Sequence, residues 1–292
     1  MNRGSLRGHF LGESGRRAFV LMREPAPALR NGGSVLVVPP FGEEMNKSRR
    51  MIAETSQRLC EAGMAVALPD LFGTGDSEGE FRDATVERWI DDLAMASRHA
   101  EACGWPVRAV LAVRLGCALA VAAARAGAVP AVSASLWWQP VLDGKRQLAQ
   151  FLRLRVAARS MRGDDPETVD GLRSRSAAGE TLAVAGYELS PALVRGLESL
   201  VTDALPPQAG ALHWLEFVRD EQTAPPLPAT RFVERARATG ANASLTTCAA
   251  EPFWASAEIV RVPRAIERTS VILGGLPLAS PGSPSTGSLV GR

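Results

Sequence analysis

The predicted junction of a strand and a helix at residues 107–119 has the pattern of a catalytic turn. An apolar, valine-rich run ends at Val113, and a helix of small residues follows with no loop between them. This is the setting in which a G-x-S-x-G motif exposes a nucleophilic serine on a sharp turn. The corresponding positions, called the elbow below, are Ala112-Val113-Arg114-Leu115-Gly116. Arginine stands at the nucleophile's place, and because its guanidinium stays protonated in proteins, it cannot attack a carbonyl carbon.

A glycine-rich loop at residues 70–79 follows another buried-strand pattern. Open α/β sheets bind ligands beyond the carboxyl ends of their strands, so this loop is a candidate wall of a ligand site. Its sequence lacks the GxGxxG spacing of a dinucleotide site, and the chain contains no P-loop. The pattern is also typical of a purely structural turn, and it predicts no cofactor.

Strand and helix patterns alternate along most of the chain and place both motifs at one sheet edge. Apolar runs that predict buried strands lie at residues 34–40, 64–70, 107–113, 131–138, 211–218 and 243–250. Helical patterns between them indicate a mostly parallel sheet flanked by helices, with right-handed crossovers. Two earlier runs, at residues 6–11 and 18–22, predict an antiparallel edge.

The pattern changes at residues 144–206, where helical stretches and a polar piece replace the alternation. We interpret this segment as a helical cap inserted over one end of the sheet. Residues 1–143 and 207–263 then form the core. Residues 264–292, which are rich in Gly, Pro and Ser towards their end, are predicted to be a disordered tail.

Composition and charge exclude several classes of function. The 292 residues carry 33 Lys and Arg against 31 Asp and Glu, a net charge of +2, which argues against a nucleic-acid-binding protein. No apolar run is long enough for a membrane span, and the amino terminus lacks the apolar segment of a secretion signal, so we expect a cytoplasmic protein. Four cysteines without CxxC spacing predict neither a disulfide framework nor a metal site.

The elbow, the loop and the strand pattern together resemble the α/β-hydrolase superfamily. More narrowly, PPFGEEMNKSRR (39–50) followed by PDLFGTGDSEGEF (69–81) is similar to the second of two hydrolase-like proteins associated with the exosortase A system. The resemblance spans about residues 5–262. It implies an α/β-hydrolase fold with an inserted helical cap, and an association with exopolysaccharide production and protein sorting in Gram-negative bacteria.

The resemblance also shows where a catalytic triad would lie. The acid of the superfamily follows the sixth core strand, where Asp220 and Glu221 stand here. The histidine follows the last core strand, and Pro252 occupies that place. The histidines of the chain lie in predicted strands or helices instead: His9, His99 and His213. With serine and histidine both missing, we predict that Ser-His-Asp catalysis is absent.

Arg114 needs an anion, because a guanidinium beside a helix amino terminus is unfavourable by itself. In one alternative it forms an internal ion pair with a carboxylate that replaces the triad structurally. The candidates for that carboxylate are Glu43, Glu44, Asp220 and Glu251. In the other alternative, Arg114 and the backbone N–H groups of Phe41 and Leu115 bind an anionic ligand, such as a carboxylate or phosphate.

Two functional hypotheses follow. In the first, the protein has kept the pocket without catalysis and binds a small anionic ligand or a partner in exopolysaccharide or envelope metabolism. In the second, it is an ester or thioester hydrolase or an acyltransferase with a non-standard mechanism. Cys117, in the first turn of the helix after the elbow, is then a further candidate nucleophile. The residues favour the first hypothesis, and they leave the oligomeric state open.

Overall fold

The computed structural model describes residues 4–276, and ten strands lie within that range. Eight of these strands form one central sheet, and the other two pair as a small hairpin. In chain order the strands are β1 (Ser5–Leu11), β2 (Ala18–Glu24), β3 (Ser34–Val38), β4 (Ala65–Pro69), β5 (Val107–Val113), β6 (Ala134–Trp138), β7 (Leu182–Val184), β8 (Tyr187–Leu189), β9 (Ala211–Val218) and β10 (Ala243–Ala249).

The central sheet is mostly parallel, as the sequence predicts. Its strand order is β1-β2-β4-β3-β5-β6-β9-β10, and only the pairs β1–β2 and β2–β4 are antiparallel. The predicted antiparallel edge is therefore confirmed. The valine-rich strands are buried on both faces: Leu36 and Val38 of β3 contribute to one apolar core, and Val35 and Val37 contribute to the other.

Eight α-helices connect the strands of the described residues. They are α1 (Glu43–Glu61), α2 (Val86–Ala102), α3 (Gly116–Arg125), α4 (Gly144–Arg162), α5 (Val169–Ala177), α6 (Pro191–Ser199), α7 (Leu227–Ala238) and α8 (Pro263–Gly274). Helices α2, α3 and α7 pack into the core that contains Leu36, while α1 and α8 pack into the core that contains Val35. None of the described helices is both long and apolar enough to cross a membrane.

Residues 144–206 lie between β6 and β9 and contain α4, α5, the β7–β8 hairpin and α6. Each of these helices begins after a side chain that accepts a hydrogen bond from its first turn, namely Asp143, Thr168 and Ser190. Pairs of aromatic rings pack this segment against the loops at the carboxyl edge of the sheet. Phe151 of α4 packs 5.1 Å from Phe41, and Tyr187 of β8 packs 4.9 Å from Phe81, both as edge-on ring pairs.

The prediction of a disordered tail from residue 264 is wrong for its first part. Residues Pro263–Gly274 form α8 instead. Ala265, Ile266 and Leu273 on this helix are buried against the core that α1 also enters. Apolar positions spaced one helical turn apart account for the docking of this helix. The later part of the predicted tail, residues 277–292, lies outside the described residues.

Candidate functional site

The elbow between β5 and α3 has a strained backbone at Arg114. Arg114 has a φ of 56°, in the left-handed region that residues with a side chain rarely adopt. Its N–H donates to the carbonyl of Trp138 over 2.9 Å, and its own carbonyl accepts from Cys117 over 3.1 Å. A Cβ on Gly116 would lie 2.5 Å from the carbonyl oxygens of Val38 and Pro39. Only glycine therefore lets α3 begin this close to the end of β3.

The Arg114 side chain is held by a carboxylate of the chain. Its Nη2 lies 3.0 Å from Oε1 of Glu44, and its Nε lies 3.3 Å from both carboxylate oxygens. Its Nη1 donates to the carbonyl of Gln139 over 3.2 Å. Both side chains are largely buried, with 12% of Arg114 and 19% of Glu44 exposed. The structure therefore supplies the anion internally, as the first of the two alternatives for Arg114 requires.

Glu44 is suited to this role by its place in α1. It lies in the first turn of the helix, where the macrodipole stabilises a negative charge. Among the described residues no other carboxylate pairs with Arg114. Glu43 accepts from the hydroxyl of Tyr187 over 3.2 Å, and Asp220 is exposed and accepts from Thr223 over 2.8 Å. Glu251 is exposed and forms no ion pair with a described residue.

The loop after β10 contributes a tryptophan two residues after Pro252, the place that the resemblance gives to the catalytic histidine. The Arg114 guanidinium carbon lies 4.8 Å from the ring centre of Trp254. An aromatic face stabilises a cation at this distance, so the Trp254 ring makes a second favourable contact with the Arg114 guanidinium, besides Glu44. Phe253 beside it is fully buried. The sequence analysis missed Trp254, because only the fold of this loop brings it to the elbow.

A second carboxylate, Glu216 on β9, extends the polar network and was also missed. It is buried and accepts hydrogen bonds from Nε2 of Gln139 over 2.9 Å and from Nε1 of Trp214 over 2.7 Å. Burial raises the pKa of the Glu216 carboxyl, although both hydrogen bonds favour its charged form. A charged residue inside a strand that is otherwise predicted to be buried is the sequence signal that could have identified it.

These contacts join the carboxyl ends of three neighbouring strands. Gln139, just after β6, has a φ of 43°; its carbonyl accepts from Arg114 after β5, and its side chain bonds to Glu216 on β9. The side-chain oxygen of Gln139 also accepts from the N–H of Phe217 over 2.6 Å. The network therefore links Arg114, Gln139 and Glu216 through groups that bind one another.

Cys117 is buried, and His213 is half-buried. Burial raises the pKa of Cys117 well above its usual value, so its thiol stays protonated. His213 lies in β9 next to Ser244, 3.0 Å from its hydroxyl, and burial lowers the pKa of its imidazole. Neither side chain lines the cavity beside the elbow.

That cavity lies between the elbow, the loop after β3 and the segment at 144–206. It has apolar walls and a small free interior of about 20 Å³, enough for one water molecule. Its lining includes the aromatic side chains Phe41, Phe81, Trp89 and Tyr187. Leu115 and Leu119 complete the side towards α3, and Leu200 contributes from the insertion. The apolar walls favour an apolar group, and a ligand larger than a water molecule requires the lining side chains to move.

Two backbone donors border this cavity. Phe41 and Leu115 are both buried, and the N–H of neither donates a hydrogen bond to another described residue. In acyl-transfer enzymes, N–H groups at these two places bind a carbonyl or oxyanion. Both residues line the cavity, as the sequence analysis expects for an anion site. A ligand oxygen would satisfy these otherwise unused donors.

The glycine-rich loop at 70–79 forms the opposite wall and is fixed by buried polar contacts. The Asp92 carboxylate of α2 accepts from the N–H of Phe72 over 2.7 Å, and Trp89 donates from its indole to the Phe72 carbonyl over 3.1 Å. Leu71 and Thr74 of the loop line the cavity. The loop therefore forms part of the cavity wall, and its glycines also make the turn.

Replacing Asp92 with asparagine is expected to change how stability depends on pH. Burial raises the pKa of the Asp92 carboxyl to about 6, above its ordinary value of 3.8. Between about pH 4 and pH 6 the folded protein therefore holds a proton that the unfolded chain has lost, so stability falls as the pH rises. Urea unfolding across this range should show a fall of about 2 kcal/mol that Asp92→Asn lacks. Parallel profiles for the two proteins would contradict this assignment.

Comparison with known proteins identifies the fold. No protein-family model matches the chain, and no curated protein matches its sequence significantly. Est1E from Butyrivibrio proteoclasticus, solved with ferulic acid, is similar with a TM-score of 0.60 and 15% identity, over 91% of this chain and 97% of that one. Carboxyl esterase 2 from the fungus Tuber melanosporum gives a TM-score of 0.56 at 14% identity, over 95% and 89%.

A serine hydrolase homologue from Coxiella burnetii is also similar, with a TM-score of 0.53 at 13% identity, over 91% of this chain and 97% of that one. Likeness at such identities establishes a fold. The mostly parallel sheet flanked by helices, the elbow after β5 and these neighbours define the chain as a protein of the α/β-hydrolase fold.

Proposed function

We propose that this α/β-hydrolase-fold protein binds a ligand without Ser-His-Asp catalysis. The observation that carries the proposal is the pairing of Arg114 with Glu44 at the nucleophile's position, beside a cavity that remains. A guanidinium held by a carboxylate and covered by an aromatic ring has no lone pair to offer and no proton to lose at neutral pH. In this proposal the ion pair stabilises the elbow, and the cavity binds a ligand.

The ligand should combine an apolar body with an oxygen acceptor. The walls of the cavity are apolar, and the Phe41 and Leu115 N–H groups are the donors for which no acceptor is present among the described residues. A carboxylate bound there would use these donors rather than Arg114, because Glu44 already neutralises the guanidinium. We infer a small carboxylate or acyl compound.

The biological setting of this ligand rests on the resemblance. The block at 39–50 supplies Phe41 and Glu44 and is similar to the hydrolase-like proteins of the exosortase A system. We therefore propose a role in exopolysaccharide or envelope metabolism, performed from the cytoplasm. The same block contributes directly to the cavity and the ion pair, so the resemblance and the site involve the same residues.

A hydrolase or acyltransferase for esters or thioesters, acting by a non-standard mechanism, is the second candidate. The observation in its favour is the preserved backbone of the elbow, with its positive φ and the two unused N–H donors. Such a mechanism needs an attacking group other than Arg114 or the protonated Cys117 thiol.

Binding of a fluorescent fatty acid, and its displacement by carboxylates of increasing chain length, tests the proposal. Leu119→Phe adds volume inside the cavity and should weaken binding about tenfold, a loss of about 1.4 kcal/mol. Val129→Leu is the control, because Val129 lines a separate cavity on the far side of α3. Equal binding by both variants and the wild type, or no binding by any of them at matched melting temperatures, would contradict the proposal.

A further inference from the structure

Helix α4 at the edge of the insertion carries an unbalanced charge. Its 19 residues contain six cations and no acidic residue. Those cations are Lys145, Arg146, Arg153, Arg155, Arg159 and Arg162. The chain as a whole is nearly neutral, with a net charge of +2, so α4 is a local concentration of positive charge.

Part of this charge is neutralised within the insertion, and part is not. Arg155 and Arg159 face Glu167, and Arg162 faces Asp164. The remaining cations of α4 are exposed and form no ion pair with an acidic side chain of the described residues; they are Lys145, Arg146 and Arg153. They are therefore available to a partner with negative charge.

The helix is also apolar on two faces. Leu148, Phe151 and Leu152 point inward and are buried in the core. Leu154 and Met161 point outward, with 50% and 88% of their surface exposed. These two are seven residues apart, which places them on one side of a helix, and the exposed Ala157 and Ala158 lie between them. A large apolar side chain that stays in water next to free cations indicates an interaction surface.

This outer face borders the openings that lead towards the elbow. Leu154 and Gln150 line a cleft of about 240 Å³ that Glu44 and Trp254 also line. Gln150 and Arg146 line a second cleft, of about 270 Å³, which Arg114 also lines. The outer face of α4 is thus next to the route by which a ligand would approach the site.

We propose that the outer face of α4 docks peripherally on an anionic phospholipid bilayer. Leu154 and Met161 enter the headgroup region, and Arg146 and Arg153 bind lipid phosphates. A bilayer matches both properties of this surface, since aliphatic side chains and cations are needed together. This docking is separate from the proposed ligand binding. The membrane would then be a source from which an apolar ligand enters the clefts.

Sedimentation with lipid vesicles tests this docking. The full chain should bind vesicles that contain phosphatidylglycerol at least tenfold more tightly than vesicles of phosphatidylcholine alone, and added salt should weaken the binding. Leu154→Ser with Met161→Ser, and separately Arg146→Gln with Arg153→Gln, should each lower binding about tenfold or more. All four side chains are exposed, so the variants should keep the melting temperature of the wild type.

Val271→Ser is the matched control, because Val271 is 69% exposed on α8, which packs on the other face of the sheet. It should bind vesicles like the wild type. No binding to anionic vesicles, equal binding to both lipid compositions, or equal loss in the control would overturn the proposal. The assay contains no cavity ligand, so its failure leaves the ligand-binding proposal standing.

Discussion

Replacing Arg114 with alanine should lower the free energy of unfolding by about 3 kcal/mol. The substitution leaves the Glu44 carboxylate largely buried without its cation, and an orphaned buried charge is strongly destabilising. Alanine also keeps a side chain at a φ of 56°, so the backbone strain is not relieved. Urea unfolding at neutral pH measures the loss as a lower midpoint at unchanged slope.

The double variant Arg114→Gln with Glu44→Gln is the control for this prediction. It removes both charges and keeps groups that can bond to each other, so it should recover most of the stability that the single alanine variant loses. An Arg114→Ala protein with the midpoint of the wild type would mean that the pair does not stabilise the elbow. Arg114 would then be free to serve a ligand.

Gly116→Ala should destabilise the protein by a similar amount, about 3 kcal/mol, and should also abolish cavity binding. The added Cβ would lie 2.5 Å from two backbone oxygens, those of Val38 and Pro39. Backbone atoms cannot rotate away as a side chain can, so α3 must move from the end of β3. That movement displaces Leu115 and its N–H. Urea unfolding and fatty-acid binding measure the two effects.

Gly171→Ala is the comparison, because it is also a glycine within a helix. Its added Cβ would meet only the Thr168 hydroxyl, at 3.0 Å, and alanine favours the helical backbone. We expect a change in stability below about 1 kcal/mol and unchanged binding. A Gly116→Ala protein as stable as this comparison would show that the approach of α3 to β3 is not tight.

The strands could be predicted from sequence because their signal is local. The run at 34–40 is apolar and β-branched, and the observed strand β3 ends at Val38, where two prolines that cannot donate hydrogen bonds follow.

Helix α8 could not be predicted in this way, because the sequence that follows it hides its pattern. Its five apolar positions are followed by a Gly-, Pro- and Ser-rich sequence, which dominates the composition of residues 264–292.

The candidate site could be predicted only in part. Arg114 at the elbow was evident from its sequence position, and so was its need for an anion. The choice of Glu44 among four carboxylates was not evident, because it depends on where α1 begins relative to the elbow. Trp254 and Glu216 reach the network through the alignment of β5, β6 and β9 and the course of a loop. Spacing along the chain does not encode these contacts.

Hydrolysis of a panel of p-nitrophenyl esters and thioesters tests the central claim most directly. The purified wild type, Arg114→Ala and a heat-denatured sample should be compared at equal concentration. The account predicts that the wild type does not exceed the denatured sample, because the position of the nucleophile holds a guanidinium bound to Glu44. Turnover above that level which disappears in the folded Arg114→Ala protein would contradict it, and would mean that an active site is built around the arginine.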